Sequence, residues 1–130
     1  MTFDGICPFC QYDLTGEKPA ENELAFVKPD ARPIAEGHSL IIPKRHVPDW
    51  FDTTEAETAA MNELLRTRRE QLLDADPAIE GFNIGMNIGR IAGQTVFHCH
   101  IHLVPRRKSD GERIRGSVRG MIRDKLDSEG

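Results

Sequence analysis

His98, His100 and His102 occupy every second position of an otherwise apolar run, Thr95-Val96-Phe97-His98-Cys99-His100-Ile101-His102-Leu103-Val104, which Pro105 closes. Side chains alternate across an extended strand. The spacing therefore predicts a strand with three imidazoles on one face and Cys99, Ile101 and Leu103 on the other. A chain built this way must form a sheet that buries one face of the strand and presents a row of bases on the other. Neutral imidazole is a nucleophile, a proton carrier near neutral pH and a metal ligand, so the row points either to phosphoryl-type chemistry or to a metal site. Packing alone does not require three of the five histidines on one strand face.

The rest of the chain fits one α+β domain. At 130 residues it closes a single core and is too short for two. Leu24 to Val27 and His38 to Pro43 read as short strands, the second entered through Gly37 and closed by its proline. Thr54 and Glu57 form a capping-box pattern that opens a helix to about Leu73, with Met61, Leu64, Leu65 and Leu72 on one face. Phe82, Ile84, Met86 and Ile88 alternate with polar or small residues, which predicts a strand joined through a Gly89–Gly93 turn to the histidine strand as a hairpin. Antiparallel strands with one long helix predict helical cover on one face of a sheet. From Arg106 onward the chain is rich in Arg and Lys, which fits either a solvated tail or a clamp that brings guanidinium groups to a phosphate or a partner subunit.

A formal net charge of −4 argues against general nucleic-acid affinity. With no apolar leader and no long apolar run, the expected location is the cytoplasm, away from membranes. Three cysteines do not make a disulfide framework, and two of them, Cys7 and Cys10, form a Cys-x-x-Cys pair. Such a pair fits a redox couple, two plain buried thiols or part of a zinc site, which two thiolates leave half built because a closed site takes four ligands. Cys99, on the apolar face, reads as a packed core residue, and Trp50-Phe51 as either a surface or interface segment or simple packing ahead of the helix. In Gly89-Arg90-Ile91-Ala92-Gly93-Gln94-Thr95, two glycines frame a turn that can aim backbone N–H groups at an anion, with Asn87 just ahead of it.

Gly93-Gln94-Thr95-Val96-Phe97-His98-Cys99-His100-Ile101-His102-Leu103-Val104 resembles the signature of the histidine triad (HIT) superfamily of nucleotide hydrolases and transferases. The likeness extends through Asp30-x-x-Pro33-x-x-x-Gly37-His38-x-Leu40-Ile41-Ile42-Pro43-Lys44-Arg45-His46 and Asn87, so roughly positions 5 to 105 are similar to bacterial members. In the tail, Arg115-Gly116-Ser117-Val118-Arg119 is similar to an Arg-Gly-Gly-Val-Arg stretch of a bacterial subgroup, with Ser117 in place of the second glycine. The resemblance implies a single HIT-like α+β domain over 1–130, with an antiparallel sheet of about five strands, one long helix and a shorter helical or irregular segment. Positions 1–22 would form a zinc-binding segment and 106–130 a basic tail.

It further implies hydrolysis at the α-phosphate of a nucleoside phosphoramidate or dinucleoside polyphosphate through a nucleotidyl-histidine. His100 matches the nucleophile. His102, Asn87, Gly93, Gln94 and Thr95 match groups that hold phosphate oxygens or the leaving group, Asp30 matches the ribose-binding carboxylate, and His38 supports the triad. A structural zinc would be held by Cys7, Cys10, His46 and His98. The expected partners are a small nucleotide, most simply an adenine nucleotide, and a second copy of the chain. A phosphorylase or nucleotidyltransferase, a nucleotide-binding sensor with incidental turnover, and a metal bound by all three triad histidines stand as alternatives.

Overall fold

Alternation along the strands decides what covers each face of the sheet. The computed structural model describes residues 6–110. In chain order, α1 (Pro8–Thr15) precedes β1 (Ala25–Pro29) and β2 (Ser39–Pro43), and a short 3-10 turn (Trp50–Asp52) leads into α2 (Glu55–Ala75). Then come β3 (Ile79–Gly85), a second 3-10 turn (Arg90–Ala92) and β4 (Ile101–Arg107). The sheet runs β1-β2-β4-β3 with every neighbouring pair antiparallel. Ala25, Val27, Ile41, Ile101 and Leu103 point to one face and pack with Met61, Leu64 and Leu72 of α2. Phe26, Leu40 and Ile42 point to the other and meet Cys7 and Phe9 of the α1 segment. Each fully buried side chain of this kind, Ile41 or Met61 for instance, contributes about 1.5–3 kcal/mol.

The capping box is formed as the sequence predicts: Thr54 accepts from the Glu57 backbone, and the Glu57 carboxylate accepts from the Thr54 N–H. Four expectations need correction. The sheet has four strands, not five. Residues ahead of β1 add only an isolated bridge between Glu21 and Phe26, because Asn22 turns the chain sharply by accepting from the Leu24 and Ala25 N–H groups. The histidine strand begins at Ile101, and His98 and His100 lie in the loop that leads into it. Likewise β3 stops at Gly85, which pairs with His102, so β3 and β4 are antiparallel neighbours joined by a long connection in place of a tight hairpin. Finally, Arg106 and Arg107 are strand residues, not the start of a tail. Buried Arg106 donates to Asn83, and Arg107 is paired with Asp76.

The segment that carries the cysteine pair packs on the body of the domain, with Phe9 buried against the sheet. No helix among the described residues is long and apolar enough to cross a membrane. The Arg115–Arg119 stretch and the rest of 111–130, with positions 1–5, lie outside the described residues.

Candidate functional site

Hydrogen bonds sort the three histidines into separate environments. His98 is fully buried and its Nε2 donates to the Pro43 carbonyl at 2.7 Å. A carbonyl only accepts, so that nitrogen carries the proton and Nδ1 keeps its lone pair. Nδ1 lies 3.3 Å from Cys7 Sγ, 3.6 Å from Cys10 Sγ and 3.2 Å from His46 Nδ1. Cys10 Sγ is also 3.5 Å from His46 Nδ1, and all four donor atoms fall within 4.8 Å of one another. Two thiols and two imidazoles converging on one point suit a tetrahedral cation such as zinc.

The protonation states fit the same cluster. Burial pushes the His98 imidazole down to about 4, so its lone pair is present at neutral pH. The Cys10 thiol is pushed up to about 11 by burial and then by the neighbouring Cys7, so loading a cation onto this set displaces thiol protons. Local sequence builds the cluster: Cys7 caps α1 and accepts from the Cys10 N–H, and Pro8 occupies the first turn. On the other side, Arg45 holds Glu57 by two bonds of 2.8 and 2.9 Å, tying the residue before His46 to the start of α2.

His100 is wired the opposite way. Its Nδ1 donates to the His98 carbonyl at 2.8 Å, which leaves Nε2 as the unprotonated nitrogen of the neutral ring. His102 depends on His38. The Ile34 N–H donates to His38 Nδ1, so His38 Nε2 carries the proton and gives it to His102 Nδ1 at 2.9 Å. Neutral His102 therefore keeps N–H at Nε2, as a donor. Asp30 Oδ2 lies 3.3 Å from His38 Nε2 and 4.0 Å from His102 Nδ1, and Oδ1 accepts from the Arg32 N–H. Asp30, His38 and His102 thus form a second close cluster that excludes His98 and His100, so the three triad histidines do not converge on one ion.

A cleft of about 180 Å³ opens over His100 and His102. Asp30 and Lys28 border it from the end of β1, Asn87, Gly93 and Thr95 from the loop, and Phe9 from α1. The loop needs glycine at two points, since Gly89 and Gly93 hold φ of 90° and 99°. Asn87 braces it by donating to the Gly93 carbonyl. The structure gives Gln94 a different place from the one its sequence position suggests. It is buried, its carbonyl accepts from the Gly89 N–H, and its amide donates to Pro48 and Val96 carbonyls, so it holds the loop from behind. His38 too is buried behind His102 and does not line the cleft. Cys99 is buried and its thiol is pushed up to about 12 by burial, which fits the core role expected of it.

Sequence reasoning missed Phe9. Its ring meets His98 edge-on with centroids 5.8 Å apart and His100 at 5.0 Å. The one available signal was its position between the two cysteines of the Cys-x-x-Cys pair.

These features define a small α+β domain in which a cleft lined by His100 and His102 adjoins a Cys2His2 cluster. The chain belongs to the HIT family: the HIT domain model matches residues 15–109. The two cysteines of the cluster precede that match. Adenylylsulfatase HINT3 of Arabidopsis thaliana is 35% identical over 113 residues, covering 84% of this chain and 56% of that protein. Adenosine 5'-monophosphoramidase HNT1 of Saccharomyces cerevisiae is 36% identical over 110 residues, covering 82% of this chain and 66% of that protein. The chain thus spans little more than half of the first relative and about two thirds of the second. Among solved structures, a Zn-bound histidine triad family protein from Mycobacterium smegmatis matches with a TM-score of 0.74 and 32% identity, over 95% of this chain and 91% of that one. Relatives come from eukaryotes, bacteria and archaea, so the likeness does not single out bacterial members.

Proposed function

We propose that the chain is a nucleotide hydrolase that cleaves at the α-phosphate of a nucleoside phosphoramidate or dinucleoside polyphosphate through a covalent nucleotidyl-His100. The observation that carries this reading is the pair of tautomers in the cleft, an unprotonated Nε2 on His100 beside an Nε2–H on His102. His100 attacks phosphorus in line and the leaving group departs; water then attacks the phosphorus of the adduct, releasing the nucleoside monophosphate and restoring the imidazole. His102 donates to a non-bridging oxygen, where charge grows as the bond is made. Thr95 and the Gly93 backbone hold phosphate oxygens from the loop, with Asn87 and Gln94 keeping its shape. Asp30 accepts from the ribose hydroxyls, and His38 fixes the His102 tautomer.

An adenine nucleotide is the expected substrate, consistent with the activities named for the plant and yeast relatives. A zinc ion held by Cys7, Cys10, His46 and His98 would supply structural closure of the N-terminal segment, and the donor set supports it. We further take the chain to act in the cytoplasm as a homodimer. In support of pairing, β3 is an edge strand with Ile84 58% exposed.

The test is rapid acid quenching during turnover of adenosine phosphoramidate, followed by mass spectrometry of the peptides. Adenylylated His100 is the expected species. Turnover with the adduct on another residue, or with none when release from the enzyme is made slow, overturns the reading. Products formed with and without added phosphate separate hydrolase from phosphorylase.

A further inference from the structure

Phe9 lies where the two histidine environments meet, and the proposed reaction leaves it without a role. It sits between the two sulfur ligands of Cys7-Pro8-Phe9-Cys10, is 6% exposed, touches both His98 and His100 with its ring, and borders the cleft. We propose that Phe9 is a positioning residue that couples the cysteine–histidine cluster to nucleotide binding. The cluster fixes the first turn of α1, that turn fixes the Phe9 ring, and the ring braces His100 at the edge of the cleft. This rests on the reading of the cleft as a nucleotide site.

Three observations carry it. First, α1 has only eight residues, far below the length at which a helix holds itself together, so its placement comes from what it is tied to. Among the described residues, the ties that bring its first turn to the rest of the domain through polar atoms are those of Cys7 and Cys10 with His98 and His46. Second, the two sulfurs bracket Phe9 within one helical turn, so holding both of them holds the backbone from which the ring projects. Third, Phe9 packs edge-on to the His100 ring, with centroids 5.0 Å apart and an interplanar angle of 78°. Aromatic contacts of this kind favour one ring orientation over its alternatives. Apolar packing with Phe26, Leu40 and Ile42 adds affinity for the sheet but does not set the rotation of α1 as four converging donors do.

The test compares wild type, Phe9→Ala and Phe9→Leu as full chains. Metal content is measured by elemental analysis and AMP affinity by calorimetry, each before and after chelation and again after zinc is restored. Chelation should weaken AMP binding to the wild type about tenfold, reversibly. Phe9→Ala should keep its metal yet bind AMP about tenfold more weakly at the outset, with chelation adding nothing further. Phe9→Leu, which keeps most of the volume without the ring edge, should fall between them, and it decides the matter if Phe9→Ala does not hold metal.

A metal-loaded Phe9 variant that binds AMP as tightly as wild type overturns the coupling. So does chelation that weakens wild type and variant by the same factor. A wild type that carries metal but binds no nucleotide instead rejects the reading of the cleft, and the coupling with it.

Discussion

His98 and His100 stand two residues apart, and each gives one ring nitrogen to a backbone carbonyl, His98 through Nε2 to Pro43 and His100 through Nδ1 to His98. The remaining nitrogen therefore differs, and so does what it meets. His98 turns Nδ1 into a cluster of two thiols and a second imidazole, whereas His100 keeps Nε2 at the cleft. The role of an imidazole is thus set by the acceptor that takes its proton, more than by its place in a motif. The same logic passes from Ile34 through His38 to His102, which ends as a donor.

The contrast breaks most decisively by removing one ring at a time. His100→Gly should lower turnover by about 10³-fold or more while metal content, by elemental analysis, stays at the wild-type level. His98→Ala should do the reverse in kind, losing the metal and lowering the melting temperature. A His100 variant that stays active, or a His98 variant that keeps its ion, would dissolve the distinction.

Next in size is Cys7→Ser. It should lose the metal with a clear drop in melting temperature, because the ion stabilises only the folded state. Retention of the ion would point to binding by the triad histidines instead. Smaller again is His38→Gln, which removes the ring that sets the His102 tautomer without touching the nucleophile. It should lower kcat about 10- to 100-fold with little change in metal content or AMP affinity. A loss of affinity that matches the loss of kcat would mean His38 shapes the cleft and does not act through His102.

Much of the scaffold was legible because it is local. The capping box of α2 and the buried run Leu40-Ile41-Ile42 follow from short-range pattern and appear as expected. Both long strands were placed too far along their loops, since alternation continues where pairing does not. Ile88 keeps the period of β3 although β3 ends at Gly85, and His98 keeps the period of β4 although β4 begins at Ile101. The charge of Arg106 concealed a buried strand residue whose partner, Asn83, lies across the sheet.

At the site, spacing pointed to the Cys7–Cys10 pair and the row of histidines and the family resemblance implied His46 and His98 as partners of the cysteines, but neither gave the contacts that define their chemistry. His38 and His102 are 64 positions apart and Cys7 and His98 are 91, and no local pattern reports such pairings. Gln94 illustrates the limit: a position beside the glycine-framed loop says nothing about which way an amide turns.

The smallest effect sharpens the comparison from outside both clusters. Arg45 is adjacent to His46 and its guanidinium grips the nearly buried Glu57 carboxylate, so this pair supports the cysteine–histidine end of the molecule and not the cleft. Glu57→Gln keeps the shape and loses the charge, and should lower stability by about 1 kcal/mol near neutral pH. The Arg45 hydrogen bond holds the folded Glu57 carboxyl below the usual carboxylate range. The unfolded chain therefore takes up this proton first as pH falls. Stabilisation from the charge is complete above about 4.3, the ordinary Glu value, and disappears as pH falls through the folded value. Thermal melts of wild type and Glu57→Gln should accordingly differ by a constant amount above that range and converge on the acid side. Turnover per metal-loaded molecule should stay the same for both. A gap that widened on acidification would reverse the sign of the linkage, and a selective loss of turnover would place Glu57 in the service of the cleft.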